Sequence, residues 1–211
     1  MKRALDIIMS FFAIIVLSPV FLITALIIII ADGTPVVYKQ KRVGKDAKLF
    51  TIYKFRTMKN GTRIAATNDL KESQCQIISC GGVLRKTSLD ELPQLINILK
   101  GDMSFVGPRP LIPEEEEIHH LRLEHDVYAV RPGLTGLAQV NGRDKVSIEE
   151  KVKLDSEYVQ NQSIGLDIKI FFKTFVNVFT MSDVVEGGHS KKFFPLRLIR
   201  SERNFFVQNS L

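Results

Sequence analysis

Residues Ile7 to Ala31 form one uncharged, mostly apolar run, interrupted near its middle by Ser18-Pro19. A continuous helix of that length would reach about 37 Å, ample for a hydrocarbon core of roughly 30 Å. Proline removes a backbone donor, clashes with the preceding turn and disfavours the α conformation of Ser18. The run therefore divides into Ile7–Leu17 and Val20–Ala31, each roughly 16–18 Å long as a helix, about one leaflet. Both flanks are basic, with Lys2 and Arg3 before the run and Lys39, Lys41, Arg42, Lys45 and Lys48 after it. Basic flanks prefer the cytoplasmic side, and a spanning helix satisfies only one of them. The expectation is a re-entrant helix–break–helix over residues 1–35, with a kinked span as the alternative. Backbone groups freed at the break need partners in lipid, and the Ser18 hydroxyl is a local candidate. A signal peptide fits poorly, because the apolar run is too long and no A-x-A-like cleavage site follows it.

Roughly 180 residues follow this segment, enough for one domain with its own core. The net charge of +6 and pI near 9.3 call for anionic partners: nucleic acid, anionic lipid or phosphorylated small molecules. Cys75 and Cys80 give no disulfide framework and read as free thiols in a cytoplasmic domain.

Along the remainder, Val36–Lys39 and Lys48–Thr57 read as strands joined by a turn at Gly44-Lys45-Asp46. Alternation in the second strand puts Lys54 and Arg56 on one face. Residues 60–82 are polar and irregular in pattern. Helices are expected over Pro93–Lys100, with Gly101 as the stop, and over Pro113–Tyr128, with acidic residues in its first turn. Between them, Ser104 to Pro113 reads as a proline-braced connector, and Arg131 to Arg143 as a glycine-rich series of turns. Ser147–Gln160 begins with a Ser147/Glu150 capping box and carries an apolar stripe of Ile148, Val152 and Val159 that includes Asp155. A last helix, Gly165–Met181, is rich in phenylalanine and suits either a core or the lipid interface, the core being favoured. The histidines His119, His120, His125 and His189 lack metal-site spacing and read as solvated.

The chemistry concentrates at Ser88-Leu89-Asp90-Glu91-Leu92-Pro93. Adjacent carboxylates opening a helix are explained by its dipole and by the Ser88–Glu91 capping-box spacing. Arg85 and Lys86 just before them, and Arg109 held between Pro108 and Pro110, add a second explanation. Fixed guanidinium groups bind phosphate bidentately. Paired carboxylates beside them suit Mg²⁺-assisted phosphate chemistry or a carboxylate nucleophile. Asp155 on an apolar stripe is costly unless paired or metal-bound. A buried salt bridge to an arginine and a place in the site are equally open for it.

Taken together, Ser18-Pro19, Tyr53 to Met58, Ser88 to Leu95, Leu99 to Pro110, Arg131 to Gly136, Gln139 to Arg143, Leu154-Asp155 and Tyr158-Val159 occur in an order that resembles the small monotopic phosphoglycosyl transferases. This is the bacterial sugar transferase family that loads sugar phosphate onto polyprenol phosphate. The resemblance covers residues 1–182, and the basic residues from 183 to 211 look like an added tail. It implies an α+β fold: the membrane hairpin, then a mainly helical catalytic domain (36–182) with a short β-hairpin, at the cytoplasmic face of the bacterial inner membrane. It further implies that Asp90 is the nucleophile toward a UDP-sugar, leaving a covalent phosphosugar and releasing UMP, after which undecaprenyl phosphate takes the sugar phosphate. Glu91 would hold Mg²⁺ or handle protons. Arg85 and Arg109, then Lys54, Arg56 and Arg131, would bind phosphate, and Asp155 would lie in the same site. Nucleic acid is not an expected partner. The competing readings are a membrane-tethered anion-binding module and a metal-dependent UDP-sugar hydrolase. No residue selects among hexose, N-acetylhexosamine and bacillosamine-type donors, and none signals an oligomeric state.

Overall fold

Ser18 and Pro19 do divide the apolar run. In the computed structural model, which describes residues 1–59, 77–142 and 146–180, helix α1 spans Lys2–Val16 and α2 spans Ser18–Asp32. The two are bent by 60° at the break, and neither alone is long and apolar enough to cross a membrane. Pro19 falls in the first turn of α2, where its missing N–H has no helical partner to lose. The Ser18 hydroxyl donates to the Ile15 carbonyl at 2.8 Å.

This helix pair buries several polar residues and leaves many large apolar ones exposed. Asp6, Ser10 and Thr24 are buried, whereas Phe12, Val16, Leu22, Leu26 and Ile30 are exposed. The polar side faces the rest of the chain, and both ends of the pair are tied to it. Asp6 accepts from the Ser104 hydroxyl and the Phe105 N–H, and Lys2 pairs with Asp167. Arg3 donates to the carbonyls of Ile98 and Leu99. At the other end, Arg56 donates to the Asp32 and Gly33 carbonyls and pairs with the Asp32 carboxylate at 3.2 Å.

The remainder is α+β. Strands β1 (Val37–Val43) and β2 (Leu49–Phe55) form an antiparallel hairpin in which Lys39 faces Tyr53 and Val43 faces Leu49. The first strand runs further than its sequence pattern indicates. Helix α3 (Gly81–Lys86) leads through a tight 3₁₀ turn at Leu89–Glu91 into α4 (Gln94–Lys100). Gly101 stops α4 as expected, with φ of 104° and its N–H on the Asn97 and Ile98 carbonyls. The proline-braced connector and the glycine-rich turns each contain a short strand, β3 (Ser104–Val106) and β4 (Gly133–Thr135), paired in parallel. Three residues are too few for a period to register.

Helix α5 covers Glu116–Glu124, shorter than the expected Pro113–Tyr128, because Asp126 turns into the left-handed region and a 3₁₀ turn follows at Val127–Ala129. Then come α6 (Leu137–Val140), α7 (Ile148–Gln160) and α8 (Ile164–Thr180). The Ser147 hydroxyl caps α7 by accepting the Glu150 N–H. Helix α8 uses two apolar faces. Ile170 is buried with Val106, Val140 and Tyr158, while Ile164, Ile168, Phe172, Phe175 and Val176 are exposed. The core reading holds for the Ile170 side, and the opposite apolar side is exposed. Most of residues 60–82, Cys75, Arg143, His189 and the tail from 183 lie outside the described residues.

The core joins the helix pair to the site. Ile52, Leu95, Ile98 and Met103 pack against Ala13, Ile14, Leu17 and Phe21. A second cluster links Ile28 of α2 to Phe55, Ile78 and Leu84. The break between α1 and α2 is therefore packed directly on β2 and α4.

Candidate functional site

Asp90 and Glu91 occupy the 3₁₀ turn between α3 and α4. The capping-box explanation fails here, since Ser88 sits in the left-handed region at φ 56° and its side chain makes no cap bond. A non-glycine residue held there costs of order 1–3 kcal/mol and persists only where its surroundings impose it. Here the turn presents Glu91 to β2 instead of to the helix end. Lys54 of β2 meets Glu91 at 2.8 Å. The strand is fixed to α4 by Asn97, which is fully buried; its amide accepts from the Tyr53 N–H and donates to the Thr51 carbonyl.

Arg109 reaches the same point from the opposite wall, 3.8 Å from Glu91. Its loop is clamped onto β4. The Gly107 N–H donates to Thr135 and the Gly133 N–H to Pro108, both at 2.9 Å. A Cβ on Gly133 would lie 2.1 Å from the Gly107 nitrogen, so only glycine permits this approach. Arg85 comes from α3, oriented by a bond from Nε to the Thr57 hydroxyl.

Burial and the neighbouring Glu91 push the Asp90 carboxyl up to about 6, against the opposing pull of Lys54, Arg85 and Arg109. A carboxylate with reduced hydration, in the field of three cations, is equipped to attack or bind a phosphorus centre. Among the described residues no cluster of three or more His, Cys, Asp or Glu side chains is present to hold a metal by itself. Magnesium commonly takes only one or two carboxylates and completes its shell with water and substrate phosphate, a donor set that Asp90 and Glu91 fit.

The profile of the family described as "Bacterial sugar transferase" matches residues 1–181. The chain belongs to that family. It is thus an enzyme, a transferase. The exopolysaccharide production protein ExoY of Sinorhizobium fredii is 40% identical to this sugar transferase over 189 residues, covering 82% of this chain and 83% of ExoY. The undecaprenyl-phosphate galactose phosphotransferase of Salmonella typhimurium is 40% identical over 82% of this chain. The UDP-glucose:undecaprenyl-phosphate glucose-1-phosphate transferase of Escherichia coli is 38% identical over 84%. The matched regions make up only 39% and 40% of those two enzymes.

Of the residues singled out from its sequence, Asp90, Glu91, Lys54, Arg85 and Arg109 converge in this sugar transferase, and three others do not. Arg56 falls just past the end of β2 and is committed to the end of α2, as described above, so its face is not that of Lys54. Arg131 donates from Nε to the Gly101 carbonyl at the far end of α4. Asp155 pairs with Arg122 at 2.6 Å, with side chains 2% and 4% exposed. That buried pair is the structural alternative the sequence left open. Arg122 also donates to the Arg109 carbonyl at 2.8 Å, so Asp155 acts on the site only through the frame that carries Arg109.

His119 is a further correction. It is 1% exposed, its Nε2–H donates to the Ile112 carbonyl, and its Nδ1 accepts from the Tyr128 hydroxyl. Burial holds this imidazole below its usual range, which keeps it neutral. His120 and His125 are exposed as expected.

Sequence reasoning missed Arg42 and Gln94. Arg42 reads as part of a basic membrane flank, yet it turns inward. Together with Lys54, Glu91, Gln94, Arg109 and Pro110 it lines an open cleft beside the dyad. Its spacing from Lys54 across the β-hairpin was the one available signal, and the hairpin register was needed to read it.

Proposed function

We propose that the chain transfers a sugar-1-phosphate from a UDP-sugar to undecaprenyl phosphate in two steps that share Asp90. In the first, the Asp90 carboxylate attacks the sugar-bearing phosphorus and UMP leaves. In the second, the polyprenyl phosphate attacks the same phosphorus and frees Asp90. The observation that carries this reading is the convergence of Lys54, Arg85 and Arg109 on the Asp90–Glu91 turn. Negative charge builds on phosphate oxygens during each displacement, and fixed cations in a half-buried site offset it. At neutral pH a carboxyl near 6 is mostly ionised, so Asp90 is available as the nucleophile. Glu91 would hold Mg²⁺ together with the substrate phosphates, and the metal would supply further charge neutralisation.

The acceptor is held in the bilayer by its hydrocarbon chain, so the reaction belongs at a membrane surface. We assign the helix pair α1–α2 to one leaflet of the bacterial inner membrane, with the catalytic residues on the cytoplasmic side. Its exposed apolar residues and buried polar ones support this, as do the bonds joining both of its ends to one folded body. The exposed apolar face of α8, which starts beside the Lys2–Asp167 pair, offers a second contact with lipid. A cysteine at position 2, in a background lacking Cys75 and Cys80, should resist an impermeant reagent in intact cells; labelling from outside would refute the re-entrant topology.

The activity is tested by UMP release. Without lipid acceptor, UMP should appear in an amount about equal to the enzyme. With undecaprenyl phosphate, release should continue through many turnovers. Continued turnover without acceptor, with free sugar phosphate as product, would make the chain a hydrolase. Donors carrying glucose and galactose, named in its relatives, are the first to try.

A further inference from the structure

We propose that Arg42 and Gln94 build, beside Arg109, a phosphate-monoester subsite that is used twice in each catalytic cycle, first by the departing UMP and then by the arriving polyprenyl phosphate. The inference rests on the two-step reading above and extends it to residues outside the dyad.

Displacement at phosphorus has a fixed geometry. Attacking and leaving oxygens lie on opposite sides of the phosphorus. In the first step the Asp90 oxygen forms its bond as the bond to the bridging oxygen breaks, and the electron pair departs with UMP. In the second step the polyprenyl phosphate oxygen bonds to phosphorus, the bond to Asp90 breaks, and the carboxylate is restored. Asp90 is the nucleophile in one step and the leaving group in the other. The acceptor must therefore approach from the side on which UMP departed. One monoester subsite is sufficient for both, distinct from the cations that serve the reacting phosphorus.

The cleft beside the dyad has the chemistry for such a subsite. Lys54, Arg85 and Arg109 all act on Asp90 through space. Arg42 lies further along the cleft, sharing Arg109 and Glu91 as neighbours. Its guanidinium is incompletely used. Nη2 donates to Gln40 at 2.7 Å and Nη1 reaches the Pro110 carbonyl only at 3.3 Å. Nε is buried without a hydrogen-bond partner among the described residues, and no carboxylate there lies within ion-pair distance of the group. Burial and the like charge of Arg109 lower Arg42 to about 10. Two guanidinium groups in one half-buried cleft repel each other; Glu115 and Glu91 pull against this, and a bound phosphate would offset it further.

Gln94 is the second, independent observation. It is 3% exposed at the start of α4 and lines the same cleft. Its side-chain amide has an N–H that a phosphate oxygen in the cleft would accept. The cleft is open to solvent, so the nucleoside or the prenyl chain would extend outside it.

The test uses the full-length protein in lipid, with Arg42→Gln, Arg42→Lys and Gln94→Glu. Two constants are read: the UMP concentration that half-saturates exchange of labelled UMP into UDP-sugar without acceptor, and KM for polyprenyl phosphate in the complete reaction. Arg42→Gln and Gln94→Glu should raise both by roughly 10- to 100-fold, the loss expected for hydrogen bonds to a charged group. The two constants should move in parallel. Arg42→Lys, which keeps the charge, should recover part of both shifts. A shift in one constant alone, no shift in either, or no recovery with lysine would overturn the shared subsite. Absence of UMP exchange in the unmodified enzyme would refute the two-step reading itself.

Discussion

Two carboxylate–cation clusters lie on either side of Arg109, and they differ in how completely their charges are matched. Behind it, Asp155 and Arg122 form a one-to-one pair sealed from solvent and bonded at 2.6 Å. In front of it, two carboxylates face Lys54, Arg85 and Arg109 with side chains still partly exposed. The first cluster is closed and fixes the backbone of the Arg109 loop. The second keeps a surplus of positive charge and a carboxyl held near 6, the condition of a site awaiting a phosphate. The same residue types thus serve stability where they balance and chemistry where they do not.

The contrast can be broken most forcefully at Asp155. Asp155→Ala would leave Arg122 buried and unpaired, which costs about 3–5 kcal/mol, read as a lower denaturant midpoint. A loss below about 1 kcal/mol would show that the closed pair is not closed. Asp90 should behave in the opposite sense. Its folded carboxyl titrates near 6, above the ordinary value of 3.8, so the folded protein keeps this proton to higher pH than the unfolded chain. Stability is therefore lost as pH rises from about 4 to 6. Asp90→Asn should be more stable than the parent by about 2–3 kcal/mol above pH 6. That gain should vanish below pH 4, as followed by thermal unfolding across pH. A smaller effect is expected at Lys54, whose pair with Glu91 is partly open. Lys54→Met should change stability by less than about 1 kcal/mol, while kcat/KM falls about 10- to 100-fold. Equal losses in stability and activity would erase the distinction between the clusters.

Much of this was legible in the residues. Ser18-Pro19 announced the break because proline acts locally, and Ser147 with Glu150 announced the start of α7 for the same reason. Asp90, Glu91 and Arg109 stood out because adjacent acids and proline-flanked arginines are compositional signals that need no tertiary information. The remainder depended on contacts between distant segments. Asp155 pairs with a residue 33 positions away, and its apolar stripe showed only that some partner was required. Arg56 looked equivalent to Lys54 by alternation, but the strand ends at Phe55, and the guanidinium follows the chain toward α2. His119 resembled its exposed neighbour His120, and only the packing of Tyr128 and Ile112 separates them. Arg42 was hidden among membrane-flanking cations, where a count of charge carries no direction.

The central claim is that Asp90 carries the sugar phosphate between the two substrates. Intact-protein and peptide mass spectrometry, after brief exposure to UDP-sugar and Mg²⁺ without lipid acceptor, tests it directly. The account predicts a single phosphosugar adduct on Asp90, lost when undecaprenyl phosphate is added and not formed in Asp90→Asn. An Asp90→Asn enzyme that still turns over, or an adduct on another residue, would contradict it.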